Sequence, residues 1–508
     1  MRWSGFEAGR QRSLFILLLV IACLLALRLW HISADFPDYH FYSQDGARFT
    51  DEGFYTGAAI QHFTLGHAYI PGGWNPGVFM PVWPLLAGFV FHFTGVSVVA
   101  ARSLAVVCTW LGVLLAYLVA RQYRSRTFAT WTAFLVAANA LGFFFGRLAL
   151  LEPALVMFLL LAIYLAGKVK PGNYALAVGV GVVFTITTLT KTTGPFVLPA
   201  VLYPIWANNH GENRTARWEA WKLVATALGT AILLLGGAKI FWAHHYAADA
   251  KIILGVAPLW ELENSPLRLV RFFLRGTWID PVLFPLALIG FVAAIARLRF
   301  FWRDTLFTTA FLWEAGYAAF IVFHYDGPPR YFVTLIVPTV WLALIFTEWL
   351  WREHRRVGVA AVACVAVSVT WNLAYIGNYL AHPRYSLVDA SLSIKKAVSA
   401  QGDTSASANH LLIGRGADEI SLLSDGLPAM DTDGTMLLAE KLDVYRPDWF
   451  MDWTDDKPAR RDTVAGKRTL GQRATFPDLN HFNGAGIVLY EILPKSVDHQ
   501  CRSASRWD

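Results

Sequence analysis

The chain has 508 residues, of which 56% are hydrophobic, 15% aromatic and only 16% charged, and its mean hydropathy is +0.43. That balance excludes an ordinary soluble enzyme and describes a polytopic α-helical membrane protein. The net charge of +7 does not imply nucleic acid as a partner, because Lys and Arg gather in short clusters between apolar runs, as the positive-inside rule produces.

The first apolar segment runs over residues 14–30, interrupted by Arg28 and preceded by Arg2, Arg10 and Arg12, a flank that holds an N-terminus in the cytoplasm. A cleaved signal peptide is the competing reading, but the bulky finish Leu29-Trp30-His31 suits an interfacial anchor better than a peptidase site. The outer loop 31–97 then carries two adjacent acids, Asp51 and Glu52. Thr50 and Asp51 precede a short amphipathic helix over 52–64, with Gly66 as its stop signal. Asp51 therefore reads either as an N-cap or as a catalytic base, and the roles are compatible, since a helix N-terminus favours the ionised carboxylate that a base needs.

Later in the same loop, His62 and His67 read as wet-loop histidines rather than as partners of Glu52 in a cation site. The Trp74-Asn75-Pro76-Gly77 turn and the tryptophans at 83, 260 and 278 suit an interfacial aromatic belt better than sugar stacking. The run 79–93 is short and contains Pro81 and Pro84. It is expected to lie in the membrane plane, since as a span it would turn every later basic cluster outward.

Segments of spanning length follow at 98–120, 127–146, 149–167, 174–190, 194–207, 223–243, 280–296, 305–323, 331–351 and 357–380. With the first they make about eleven. Alternation puts Arg121/Arg124/Arg126, Lys168/Lys170, Arg214/Arg217/Lys222, Arg297/Arg299/Arg303 and Arg352/Arg355/Arg356 on the side of the N-terminus. Segment 194–207 holds Pro195, Pro199 and Pro204 and predicts a bent or half-buried helix.

Arg147, Lys191 and Arg330 fall at predicted outer ends of three spans, with Glu152 five residues after Arg147. Glu152 could hydrogen-bond a sugar, assist the base or pair with Arg147. Lys191 could bind phosphate or snorkel to the interface. Arg330 lies on the side where a topological charge is not expected, at the end of the rigid turn His324-Tyr-Asp-Gly-Pro-Pro-Arg-Tyr331. His244 and His245 lack a carboxylate at ligand spacing and read as interfacial. The four cysteines are scattered, without a disulfide framework or a CxxC pair. No cofactor is implied, and a divalent metal is left open.

From Ser386 onward charge density rises and apolar runs shrink to strand length. A membrane domain over 1–385 and an extracytoplasmic α/β domain over 386–508 are expected, with His410 to Gly414 as strand, Asp418 to Leu423 as helix and Gly486 to Ile492 as closing strand.

Group transfer outside the cytoplasm needs a donor that arrives activated, such as a lipid-linked sugar phosphate. Such chemistry needs a carboxylate to take the acceptor's proton and cations to receive the departing phosphate.

The order of elements sharpens this: one span, an outer loop with Asp51-Glu-Gly-Phe-Tyr55, an Asn-Pro turn at 75 and 76, an in-plane helix, then Ala101-Arg102-Ser-Leu-Ala105 opening the second span. It resembles the GT-C glycosyltransferases, and within them the bacterial family related to protein O-mannosyltransferases and lipid A aminoarabinose transferases. The resemblance covers roughly residues 13–380. It implies a polyprenyl-phosphate sugar donor, an acceptor hydroxyl on a lipid, glycan or protein, inversion at the anomeric centre, and a site on the outer face of the bacterial inner membrane. By it, Asp51 is the catalytic base and Glu52 its acidic neighbour, Arg147 and Glu152 match an arginine followed by an acid, and Lys191 and Arg330-Tyr331 lie near the donor phosphate or the cavity mouth. Many relatives carry Asn-Lys-Pro-Pro in the first loop, whereas Asn75-Pro-Gly-Val lacks the lysine. The rival readings are a lipid-linked sugar transporter or flippase, for which no inverted repeat is visible, an oligosaccharide polymerase or ligase, and a membrane anchor for the exported domain.

Overall fold

The computed structural model describes residues 3–37, 51–249, 265–296, 303–323, 327–401, 410–456, 458–480 and 484–493. Trp260, Arg2, Arg297, Arg299, Cys501 and the turn residues 324–326 lie outside them, as do the side chains of Arg10 and Arg12.

The N-terminal part is helical: α1 (Trp3–Leu27), α2 (Asp51–Leu65), α3 (Val82–Thr94), α4 (Val98–Tyr123), α5 (Arg126–Ala138), α6 (Ala140–Phe145), α7 (Leu151–Ala166), α8 (Tyr174–Thr190), α9 (Leu198–Asn209) and α10 (Arg214–His245). After these come α11 (Ser265–Arg275), α12 (Leu283–Ala296), α13 (Thr305–Phe323), α14 (Ile336–Glu353) and α15 (Arg355–Ala381). Among the described residues, α4, α10, α13, α14 and α15 are long and apolar enough to cross a membrane. α1, α3, α7, α8 and α12 contribute shorter apolar stretches. Helices apolar on all sides suit a lipid-embedded bundle, where each backbone amide must be satisfied within its own segment.

The first helix is anchored inside the bundle. Arg28 is fully buried and donates to the carbonyls of Leu24 and Ala137 at 3.2 and 3.0 Å, while its guanidinium lies 4.9 Å from the Phe143 ring centroid.

The run 127–146, read as one span, is two helices. Asn139 turns extended (φ −68°, ψ 125°), caps α6 by accepting from Gly142 N at 2.8 Å, and donates to the Ile279 carbonyl at 2.7 Å. An Asn side chain can replace the helical ladder with such local and cross-chain bonds, so the helix breaks there. Proline-rich 194–207 divides in the same way into a 3₁₀ turn, Gly194–Val197, and α9, which carries Pro204 in its interior.

Beyond α15, α16 (Ser386–Gln401) leads into a five-stranded sheet of order β2-β1-β3-β5-β4. β1 (Leu412–Gly414) pairs in parallel with β2 (Ala429–Asp431) and β3 (Trp449–Trp453), while β5 (Ala485–Leu493) runs antiparallel to β3 and β4 (Thr469–Asn480). α17 (Ala417–Leu423), α18 (Leu438–Val444) and α19 (Ala459–Lys467) are the connections. This is the α/β layer expected from the strand-length runs.

One hydrophobic cluster joins the two parts. Ile60 of α2, Trp83 and Phe91 of α3 and Ala101 of α4 belong to the same core as Leu412, Ile420, Trp449 and Ile487 of the sheet domain. Trp83, expected in an aromatic belt, is instead completely buried, with its indole N–H donating to Thr56 Oγ1 at 3.2 Å. A buried indole that finds such an acceptor belongs in a core as readily as at an interface.

Candidate active site

Four elements far apart in sequence bring their charges together. Asp51 is the first residue of α2. Glu152 sits in the first turn of α7, where the helix dipole favours a carboxylate. Lys191 is the extended residue that ends α8, at φ −152° and ψ 132°. Arg330 and Tyr331 lie in a 3₁₀ turn, Pro329–Leu335, whose prolines fix the approach to α14.

Arg330 Nη2 stands 2.9 Å from Asp51 Oδ2, and Arg330 Nε stands 3.9 Å from Glu152 Oε1. The same Glu152 oxygen accepts from Lys191 Nζ. The Tyr331 ring lies beside both cations, 4.1 Å from Lys191 Nζ and 5.5 Å from the Arg330 guanidinium carbon. Acid and base thus alternate as Asp51, Arg330, Glu152, Lys191. Access is graded along the row: the Asp51 and Arg330 side chains are 15% and 11% exposed, whereas those of Lys191 and Glu152 are 3% and 0%. The Asp51–Arg330 end is therefore the more accessible one.

Glu52 and Arg147 point elsewhere. Both Glu52 oxygens are engaged by Arg102, at 2.9 Å from Nε and 2.6 Å from Nη2, and Oε1 also accepts from the Ala149 amide at 2.7 Å. Arg102 Nη1 continues to the carbonyls of Ile32 and Ala34 at 3.0 and 2.7 Å. This fork-to-fork pair locks the start of α2 onto α4. Arg147 does not pair with Glu152. Its Nη2 donates to the carbonyls of Trp30 and His31, both at 2.6 Å, and its guanidinium lies 4.9 Å from the Tyr379 ring centroid.

Tyr55, one helical turn after Asp51, received no role from the sequence. Its half-buried phenol lies among Asp51, Arg330, Tyr331 and Glu152. The i, i+4 spacing is the signal that could have found it. Asn75 organises the first-loop turn: its amide donates to Ile70 O, Gly73 O and Asp249 Oδ1 at 3.0, 3.2 and 3.2 Å. His62, His67, His244 and His245 are exposed. Among the described residues no group of three or more His, Cys, Asp or Glu is placed to hold a metal ion.

The family model for dolichyl-phosphate-mannose-protein mannosyltransferase matches residues 76–235. ArnT from Cupriavidus metallidurans superposes with a TM-score of 0.58 at 15% identity in its apo state, over 95% of this chain and 98% of that one. The two chains share one fold. ArnT bound to undecaprenyl phosphate gives 0.56 at 12% identity, over 94% and 97% of the two chains. AglB, the archaeal oligosaccharyltransferase from Archaeoglobus fulgidus, in complex with an inhibitory peptide and a dolichol-phosphate, gives 0.51 at 12% identity, over 87% and 69%. No curated protein matches the chain in sequence. The matched family segment contains Arg147, Glu152 and Lys191 but neither the acids of α2 nor Arg330, so the Asp51–Arg330 contact is evident only in three dimensions.

Proposed function

We propose that this protein transfers a glycosyl group from a polyprenyl-phosphate-linked sugar to an acceptor hydroxyl on a lipid, glycan or protein, at the outer face of a bacterial inner membrane and with inversion. The observation that carries this reading is the Asp51–Arg330 ion pair, at 2.9 Å, with Lys191 and Tyr331 beside it on a GT-C fold.

In the resting chain one guanidinium holds the candidate base. A donor phosphate is a better bidentate partner for that guanidinium than a single carboxylate oxygen. As it engages Arg330, Asp51 is released and faces the acceptor hydroxyl. Asp51 then takes the hydroxyl proton as the new glycosidic C–O bond forms and the bond from the anomeric carbon to the phosphate oxygen breaks. Arg330 and Lys191 receive the charge that develops on the leaving phosphate. Holding donor and acceptor on opposite sides of the sugar makes the displacement effectively intramolecular and inverts the anomeric centre. Glu152 holds the buried Lys191 in place, and the Tyr331 ring lies beside both cations.

The same reading takes the chain through the membrane about eleven times, with α3 lying in the plane and the sheet domain extracytoplasmic. The shared core between α2, α3 and that domain supports putting the site and the sheet on one side.

The test is turnover of purified chain in liposomes with undecaprenyl-phosphate-linked mannose, glucose or aminoarabinose, together with mass spectrometry of envelope lipids, glycans and proteins from cells with and without the protein. Loss of one sugar from one envelope component identifies the acceptor. Consumption of a pyrophosphate-linked glycan instead would indicate a polymerase or ligase, and donor crossing the bilayer without sugar transfer would indicate a flippase.

A further inference from the structure

The helix that begins with Asp51 is held at its first turn by the sheet domain. Gly53 N–H, one of the amides at a helix start that no intrahelical carbonyl satisfies, donates to Glu419 Oε2 at 2.6 Å. Glu419 belongs to α17, all seven residues of which are buried. The backbones meet so closely that a Cβ on residue 53 would stand 2.2 Å from the Glu419 nitrogen and 2.2 Å from the Asp418 carbonyl carbon. One turn on, Gly57 faces the Asp418 carboxylate, where a Cβ would lie 3.6 Å from Oδ2, and Gln61 hydrogen-bonds to the same carboxylate. Glycines at 53 and 57 thus open a flat face on α2 for α17.

A second clamp lies farther along the first loop. Met436 N donates to the Gly72 carbonyl at 3.1 Å, and the Tyr445 hydroxyl bonds the Pro71 carbonyl. The sheet domain therefore grips the loop at two places, the first turn of α2 and the Pro71-Gly72 stretch ahead of the Asn75 turn.

We infer that Glu419 is a positioning residue for the reaction: by accepting the Gly53 amide it fixes the first turn of α2, and with it the direction of the Asp51 carboxylate towards Arg330. The inference rests on the glycosyl-transfer reading and adds a task for the C-terminal domain, which becomes a structural part of the catalytic loop. Glu419 does not touch the reacting groups. Its neighbour Glu52 is held by Arg102, and burial followed by the nearby Glu52 carboxylate raises the Glu419 carboxyl well above the usual carboxylate range. That environment favours the neutral acid, whose oxygen still accepts from Gly53. Glutamine has the same shape and offers the same acceptor.

The test compares full-length Glu419→Ala and Glu419→Gln in detergent micelles, using hydrogen exchange of the peptide containing Gly53, binding of undecaprenyl phosphate, and turnover with the undecaprenyl-phosphate sugars named above. Glu419→Ala is expected to lose exchange protection at the start of α2 and to drop turnover by about ten- to a hundredfold, the scale of a small misplacement of a catalytic group, with undecaprenyl phosphate binding within about twofold of the parent. Glu419→Gln is expected to restore both protection and turnover. Unchanged protection in Glu419→Ala overturns the inference, and so does altered protection with parental turnover. Equal losses in both variants overturn it too, because the acceptor atom would then not be what matters. Should Glu419→Ala fail to bind undecaprenyl phosphate, Glu419→Gln alone decides: parental protection and turnover support the inference, and loss of either overturns it. Should the parent chain itself transfer no sugar, the glycosyl-transfer reading fails, and the exchange data still decide whether Glu419 holds α2.

Discussion

Arg330 Nη2 and Asp51 Oδ2 are 2.9 Å apart, joining the start of α2 to the turn that leads into α14. If Asp51 is the base, Asp51→Asn removes the proton acceptor while retaining its shape and an amide oxygen that still accepts from Arg330. Sugar transfer should fall by about 10²–10⁴-fold, with undecaprenyl phosphate affinity little changed. Steady-state turnover alongside equilibrium binding checks this, and near-parental turnover would take Asp51 out of the mechanism.

Removing the cation should do the opposite. Arg330→Ala deletes the accessible end of the charged row and should weaken undecaprenyl phosphate binding by roughly ten- to a hundredfold, the range of a lost charged hydrogen bond. Lys191→Ala should also weaken binding, and in addition leave Glu152 buried without its lysine, so its melting temperature should fall further than that of Arg330→Ala. Titration calorimetry with thermal melts in the same detergent separates the two effects. An unchanged affinity in Arg330→Ala would assign that residue to architecture.

For Glu52 the expected loss is in stability. Glu52→Ala leaves Arg102 buried with only the Ile32 and Ala34 carbonyls, and breaking such a buried pair costs roughly 3–5 kcal/mol. Replacing both partners together by apolar residues of similar volume should recover most of that loss. A double-mutant cycle read by thermal or denaturant unfolding tests the pairing, and additive single effects would contradict it.

The fold around α17, on which α2 packs, should lose stability in alkali. Burial, with the Asp431 carboxylate next in effect, raises the Asp418 carboxyl from 3.8 to about 8, against the opposing influence of Gln61 and Lys441. A carboxyl whose pKa is raised on folding binds its proton more tightly in the folded state. Its stabilising contribution is therefore complete below the unfolded value of 3.8 and is lost as pH rises through about 8. Hydrogen exchange across α2 should increase over that interval in the parent chain, and Asp418→Asn should flatten the response. A pH profile that is the same in both would show that another group controls this stability.

Much of this was legible in the chain itself. Apolar length, basic flanks and strand-length runs are local properties, and they define a helical membrane body followed by an α/β layer wherever the chain folds. The acidic pair, the late Arg-Tyr and the lysine ending α8 were visible as charges in a setting where charge is costly. Tyr55 could have been added from its spacing to Asp51.

What tertiary structure alone decided is which charges face one another. Neighbouring residues on a helix diverge by about 100°, so Asp51 and Glu52 cannot share a partner: one meets Arg330 and the other meets Arg102, fifty residues away. Arg147 and Glu152 are close in sequence, yet they separate because α7 begins between them and Arg147 is drawn to the carbonyls of Trp30 and His31. Glu419 sits in a domain with no readable motif, and its bond to Gly53 spans 366 positions. The sequence determines the elements because hydropathy and helical period act over a few residues. The pairing of buried charges depends on contacts between distant segments, which no local pattern specifies.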